Sequence, residues 1–170
     1  MNAQKQTLQG VAATREQIFE WTDEGQPSRF WSVGMAKELI NQARARGFNL
    51  TQRITLNQVI EAAAHNYEMP KLLPEHVAAA DLSEPIISIE LHNLKTGRDE
   101  AMVIDGWHRI RKWIENPHLL PNGMEVYHLP AVVALEIERM TAEAMSGGSM
   151  VEHGDDCTLI TRIIKPEGGQ

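Results

Sequence analysis

The stretch from Ala101 to Asn116, AMVIDGWHRIRKWIEN, decides how this chain folds. Met102, Val103 and Ile104 form a short apolar run suited to a buried strand. Asp105-Gly106 breaks the run, and Ile110, Trp113 and Ile114 then recur at helical spacing. The reading is strand, tight turn, helix, with the helix ended by Asn116 before Pro117. In such a turn the amides of Trp107, His108 and Arg109 precede the first intrahelical bond, and the macrodipole adds about half a positive charge. That is a seat for phosphate. His108, Arg109 and Lys112 can each donate to an anion, and His108 and Lys112 share a face. A plainer reading stands beside it. Asp105 is a good N-cap, stabilising by about 1 kcal/mol over alanine, Gly106 makes the turn, and His and Arg are ordinary first-turn residues.

At 170 residues and 42% hydrophobic, the chain can bury one core with a small helical appendage. No apolar run approaches a membrane span and the polar start MNAQKQTLQG does not read as a signal peptide, so a soluble, cytoplasmic protein without a membrane span is expected. Cys157 is the single cysteine, which fits a reducing compartment and an inert thiol. The net charge of −7 is uneven. Residues 1 to 53 carry seven Lys/Arg against five Asp/Glu, and residues 54 to 170 carry nine against eighteen. An acidic body argues against broad duplex binding but leaves room for a local nucleotide pocket.

Along the chain, Thr14 with Gln17 resembles a capping box and predicts a helix to about Thr22 that buries Ile18, Phe19 and Trp21. A second helix is expected from Met35 to Arg46, stopped by Gly47, and a third from Thr55, boxed by Gln58, with Leu56, Val59, Ile60, Ala63 and Tyr67 as its stripe before Pro70. Arg44, Arg46 and Arg53 around Phe48 to Arg53 invite a helix-turn-helix reading. The segment is long for that turn and the third helix has no basic residue to read a groove, so packing onto the sheet domain is preferred. A short helix follows Pro74, then a hairpin of Ile86 to Leu91 and Glu100 to Ile104 around Gly97. Val126 to Leu135 is read as a strand with Pro130 at an edge or bulge, Ile137 to Met145 as weakly helical, Ser146 to Ser149 as a flexible break and Cys157 to Ile164 as a last strand.

Residues 103 to 109, VIDGWHR, resemble the I-D-G-x-H-R motif of the ParB/sulfiredoxin superfamily. Upstream, Ala80 to Ile87 resembles the proline-isoleucine strand opening of ParB-like domains, and Leu129 to Val133 the strand that follows the motif. The likeness spans about Leu72 to Glu138. It implies an α/β (α+β) fold, a small mixed sheet with packed helices, here with a helical N-terminal extension over 1–70 and the ParB/sulfiredoxin-like domain over 71–170, as one compact unit. It also implies that Gly106, His108 and Arg109 hold nucleotide phosphates. Two departures qualify it. Trp107 stands where sulfiredoxin carries its reactive cysteine and has no nucleophilic atom, which argues against sulfinic acid repair. ParB partition proteins often carry an arginine pair in place of His-Arg.

The expected site therefore comprises His108 as acid/base or electrostatic donor, Arg109 as clamp, and Gly106, Trp107 and Lys112, with Ser83 and Glu84 upstream. Asp105 either caps the helix or helps hold magnesium, because a bare carboxylate repels phosphate, and Glu84 and Asp81 are the next candidate acids. ATP or CTP, with Mg, is the ligand class the resemblance implies, and ATPase- or nuclease-type phosphoryl chemistry in plasmid or phage partition or fertility inhibition is the function, with DNA as a further partner. The alternative is a non-enzymatic module that binds a protein through its acidic surface or N-terminal helices. His153, Asp155 and Asp156 read as solvated charge, and the other histidines show no zinc spacing, so no metal site is expected.

Overall fold

The computed structural model describes residues 6–8, 11–22, 25–60, 72–93, 97–146, 148–153 and 159–164. Among these lie two sheets and five helices, a mixed α/β fold. The chain divides into two compact units, Met1–Lys37 with Leu135–Gln170, and Glu38–Ala134. These units cut across a 1–70 and 71–170 division, because the strand at 11–21 pairs with the strand at 159–164 in one sheet.

In the first unit, β1 (Gln6–Leu8), β2 (Val11–Trp21), β9 (Leu159–Ile164) and β8 (Gly148–His153) lie in the order β1-β2-β9-β8, and β3 (Arg29–Ser32) also pairs β2. The expected N-terminal helix is therefore a strand. β2 pairs β9 antiparallel over Ala12 to Gln17 and then β3 over Ile18 to Trp21, so one long strand has two successive partners. Val11, Thr14, Ile18, Phe19 and Trp21 are β-branched or aromatic and suit a pleated surface, and pairing with a segment some 145 residues away overrides the capping signal. Ile18 and Phe19 are buried as expected and Trp21 is partly so.

The core of this unit forms where β3 meets α5 (Ala131–Ser146). Trp31 is fully buried 6.4 Å from Phe19, and Arg29 lies over the Trp31 ring while pairing with Glu138 at 2.7 Å. Thr141 accepts the Ser32 amide at 2.9 Å and donates to the Ile137 carbonyl. α5 corrects the expectation of a strand to Leu135. β7 (Met124–Leu129) ends at Pro130, whose carbonyl accepts the amides of Val133 and Ala134 and opens the helix. Ala134, Ile137 and Thr141 are buried at helical spacing while Val132 and Leu135 are exposed. Residues 148–153, expected as part of a break and a solvated stretch, are strand β8. β9 bears out the predicted last strand, and Asp155, Asp156 and Cys157 lie outside the described residues.

The second unit is built on the sheet β4 (Thr51–Ile54), β7, β5 (Ile86–Asn93) and β6 (Arg98–Asp105), in that order. β5 and β6 form the expected hairpin, and β5 runs parallel to β7. α1 (Val33–Ala45), which enters this unit at Glu38, is capped by Ser32, whose hydroxyl accepts the Met35 amide. It ends as Gly47 predicts, at φ +85°, with Phe48 N–H on the Ala43 carbonyl and Gly47 N–H on that of Arg44, a Schellman closure. The Thr55-Gln58 box is real: the Thr55 amide donates to Gln58 Oε1 at 2.8 Å, and the Gln58 amide to Thr55 Oγ1. It opens α2, described over 56–60, while Ala63, Tyr67 and Pro70 lie outside the described residues. Between α1 and α2 stands β4, paired with β7, which is incompatible with a helix-turn-helix. α3 (Pro74–Ala79) starts with Pro74 in its first turn, and α4 (Trp107–Glu115) follows β6. Among the described residues no helix is long and apolar enough to cross a membrane.

Candidate phosphate site at the start of α4

β6 delivers the chain into the core with Met102 and Ile104 buried, and Gly106 then turns it at φ +106°. A Cβ at Gly106 would stand 2.4 Å from Ile86 Cγ2 and 3.1 Å from Arg109 Nε, so this turn admits only glycine on grounds of space and of backbone. Gly106→Ala should lower the denaturation midpoint, with about 1–2 kcal/mol from left-handed strain and about 1–3 kcal/mol from overpacking against Ile86. An unchanged urea midpoint would show that the turn is not closed in this way.

Gly106, not Asp105, is the N-cap residue, and it brings no side-chain cap of its own. The first intrahelical bond runs from the Ile110 amide to the Gly106 carbonyl, placing the amides of 107, 108 and 109 in the opening turn. Asp105 is the last residue of β6 and is 7% exposed. Its Oδ2 accepts Arg109 Nη2 at 2.9 Å, four residues on. This corrects the cap expectation: a buried guanidinium competes for the carboxylate and wins, since a buried cation without a counter-charge is costly.

Arg109 is itself 9% exposed and is held from three sides. Besides Asp105, its Nη1 donates to Glu84 Oε2 at 3.2 Å and to the Pro85 carbonyl at 3.1 Å. Glu84 belongs to the turn after α3, shaped by Asp81, whose Oδ1 accepts both the amide and the hydroxyl of Ser83. Those two hydrogen bonds hold the Asp81 carboxyl below its usual pKa, helped by the positive charges of Arg109 and Lys112. The loop 81–84 and the start of α4 therefore form one neighbourhood, and Ser83, Glu84, Asp105 and Arg109, picked out along the sequence, are brought together in it.

Two other expected site residues, Trp107 and Lys112, are engaged by the fold, and His108 gains a neighbour. Trp107 is 5% exposed, with its indole N–H on the Val103 carbonyl, so its ring belongs to the core. Lys112 donates to the carbonyls of Ala78 and Ala80 at 2.8 and 2.7 Å, closing the end of α3. His108 is half-buried and meets His76 of α3 edge-on at 5.5 Å. His76 carried no sequence signal, because it stands 32 positions from its neighbour and no spacing rule reaches that far. The same holds for Ser88 and His128, hydrogen-bonded at 2.8 Å across the parallel strands β5 and β7.

Among the described residues no group of three His, Cys, Asp or Glu side chains converges as a metal site. Asp105, the sequence's candidate for holding magnesium, is committed to Arg109.

What the fold and this neighbourhood define is a mixed α/β unit in which a hairpin feeds a helix through a glycine-only turn, with a buried arginine set between two carboxylates. Compared with protein-family models, curated proteins and solved structures, the chain matches none.

Proposed function

We propose that the second unit binds the phosphate of a nucleotide or of a nucleic-acid strand at the first turn of α4, with ATP or CTP as the ligand class and phosphoryl transfer or hydrolysis as the chemistry. The observation that carries this reading is the turn at Gly106. The left-handed glycine turns the chain straight from β6 into α4, so the amides of the opening turn and the macrodipole, which favour negative charge, stand at the end of the strand. His108 supplies the acid/base or electrostatic group, with His76 beside it. The resemblance of VIDGWHR to the ParB/sulfiredoxin motif points the same way, and a role in plasmid or phage partition or fertility inhibition belongs to the same proposal.

The charges set a condition. Like charges about 4 Å apart repel by about 4 kcal/mol at an effective dielectric constant near 20, so phosphate and Glu84 do not share Arg109. Glu84 is the arm that leaves, since its side chain is 69% exposed against 9% for Asp105. Magnesium enters as the counter-ion that a nucleoside triphosphate brings with it, since among the described residues no three His, Cys, Asp or Glu side chains converge.

Calorimetric titration with ATP, CTP and GTP in magnesium should therefore saturate. Glu84→Gln should tighten binding severalfold by removing the competitor, and His108→Ala should reduce any hydrolysis more than it weakens binding. Absence of heat at millimolar nucleotide would discard the site. A second reading, a non-enzymatic protein-binding module, is favoured by one observation: Lys112 and Arg109 are both engaged in holding the fold. In that case Glu84→Gln changes no nucleotide affinity.

A further inference from the structure

We infer that the junction of α1 and β4 is a binding surface for single-stranded nucleic acid. The segment from Leu39 to Ile60 contains Arg44, Arg46 and Arg53 and no acidic residue, in a chain whose net charge is −7. Within it, residues 44–49 are all exposed. α1 closes at Gly47, and the Phe48 amide bonds back to the Ala43 carbonyl, which leaves Phe48 just beyond the helix with 63% of its surface exposed. Arg44 lies over the ring of Tyr127 at 5.9 Å, and Arg46 is exposed between Arg44 and Phe48 in sequence. β4, which follows, is an edge strand, and its Thr51 is the register partner of Tyr127. Two aromatic rings and two arginines thus gather at the end of one helix and the start of one edge strand.

Arginine in a last turn suits the helix macrodipole, and one exposed apolar side chain is ordinary on a protein surface. Neither accounts for an open phenyl face next to cations that have no carboxylate partner among the described residues, and a tyrosine already stacked by arginine. Arg53 does have compensation, from Glu125 at 3.3 Å and from the carbonyls of Asn122 and Gly123, so the cationic pair is Arg44 and Arg46. An open ring takes a base only where bases are unstacked, and every base offers a π-face, so the fitting partner is a single strand whose phosphates meet the two arginines. A duplex hides its base faces, and the acidic remainder of the chain repels a long one.

This surface uses residues other than those at α4, so its test and the nucleotide titration fail independently. The experiment is fluorescence anisotropy of the full chain with a labelled oligothymidylate, a hairpin duplex and a polyglutamate peptide as probes. The single strand should bind saturably and more tightly than either other probe, with a salt slope near −1.4 for two phosphates. Phe48→Ala should weaken it about tenfold, and Phe48→Trp should preserve it. Arg46→Glu should also weaken it and reduce the salt slope by about half. Both side chains are exposed, and melting at the wild-type temperature shows that each variant is folded. Absent binding, equal binding of duplex or polyglutamate, or affinity unmoved by Phe48→Ala and Arg46→Glu would each overturn the inference.

Discussion

Trp113→Ala is expected to cost about 3–5 kcal/mol of stability, read as a lower denaturant midpoint at an unchanged slope. The ring is 1% exposed and shares the buried face of α4 with Ile110, while Glu115 faces water. A large ring removed from a packed interior takes its transfer energy with it and leaves a cavity that a nine-residue helix between strand and loop cannot close. Trp113→Phe separates volume from polarity. The indole Nε1 is buried with no hydrogen-bond partner among the described residues, so the native ring carries an unsatisfied donor. Burying such a group costs about 1–3 kcal/mol, and phenylalanine removes that cost while losing part of the volume. Trp113→Phe should therefore retain most of the stability, and a loss as large as that of Trp113→Ala would show that the indole N–H does find a partner in solution.

The sequence made the second unit legible where the signals were local. The hairpin of β5 and β6, the turn at Gly106, the burial of Ile110 and Trp113 and the stops at Gly47 and Asn116 all follow from residues a few positions apart. Long-range pairing was not legible. Thr14-Gln17 and Thr55-Gln58 match the same capping pattern; the second closes as a box, whereas the first lies within strand β2. What distinguishes them is that Thr14 has a register partner in Arg162. Pro130 shows the limit of propensity: Val132 and Val133 suggest strand, but the spacing of Ala134, Ile137 and Thr141 decides for helix. That Ser83, Glu84, Asp105 and Arg109 gather was legible, and what each side chain touches was not. Lys112 was picked as an anion donor and closes α3, because the carbonyls of Ala78 and Ala80 reach it through the fold alone.

Asp105 is where that distinction becomes measurable. If it were a helix cap, Asp105→Asn would be nearly silent, since asparagine caps about as well. The structure gives it to Arg109, both side chains about nine-tenths buried, and removing one partner of a buried pair costs about 3–5 kcal/mol because the other charge is left in the interior. Glu84 and the Pro85 carbonyl still reach Arg109 Nη1, so Asp105→Ala should fall at the lower end of that range. Asp105→Asn keeps an acceptor but not the charge and should lie between alanine and wild type. The decisive measurement is the double-mutant cycle with Arg109→Met. Each single change should destabilise, and the pair Asp105→Asn with Arg109→Met should cost less than the two singles together, because no uncompensated charge remains inside. Strict additivity in urea denaturation, or an Asp105→Asn variant with the wild-type midpoint, would return Asp105 to the cap and free Arg109 to meet a phosphate without any carboxylate having to move.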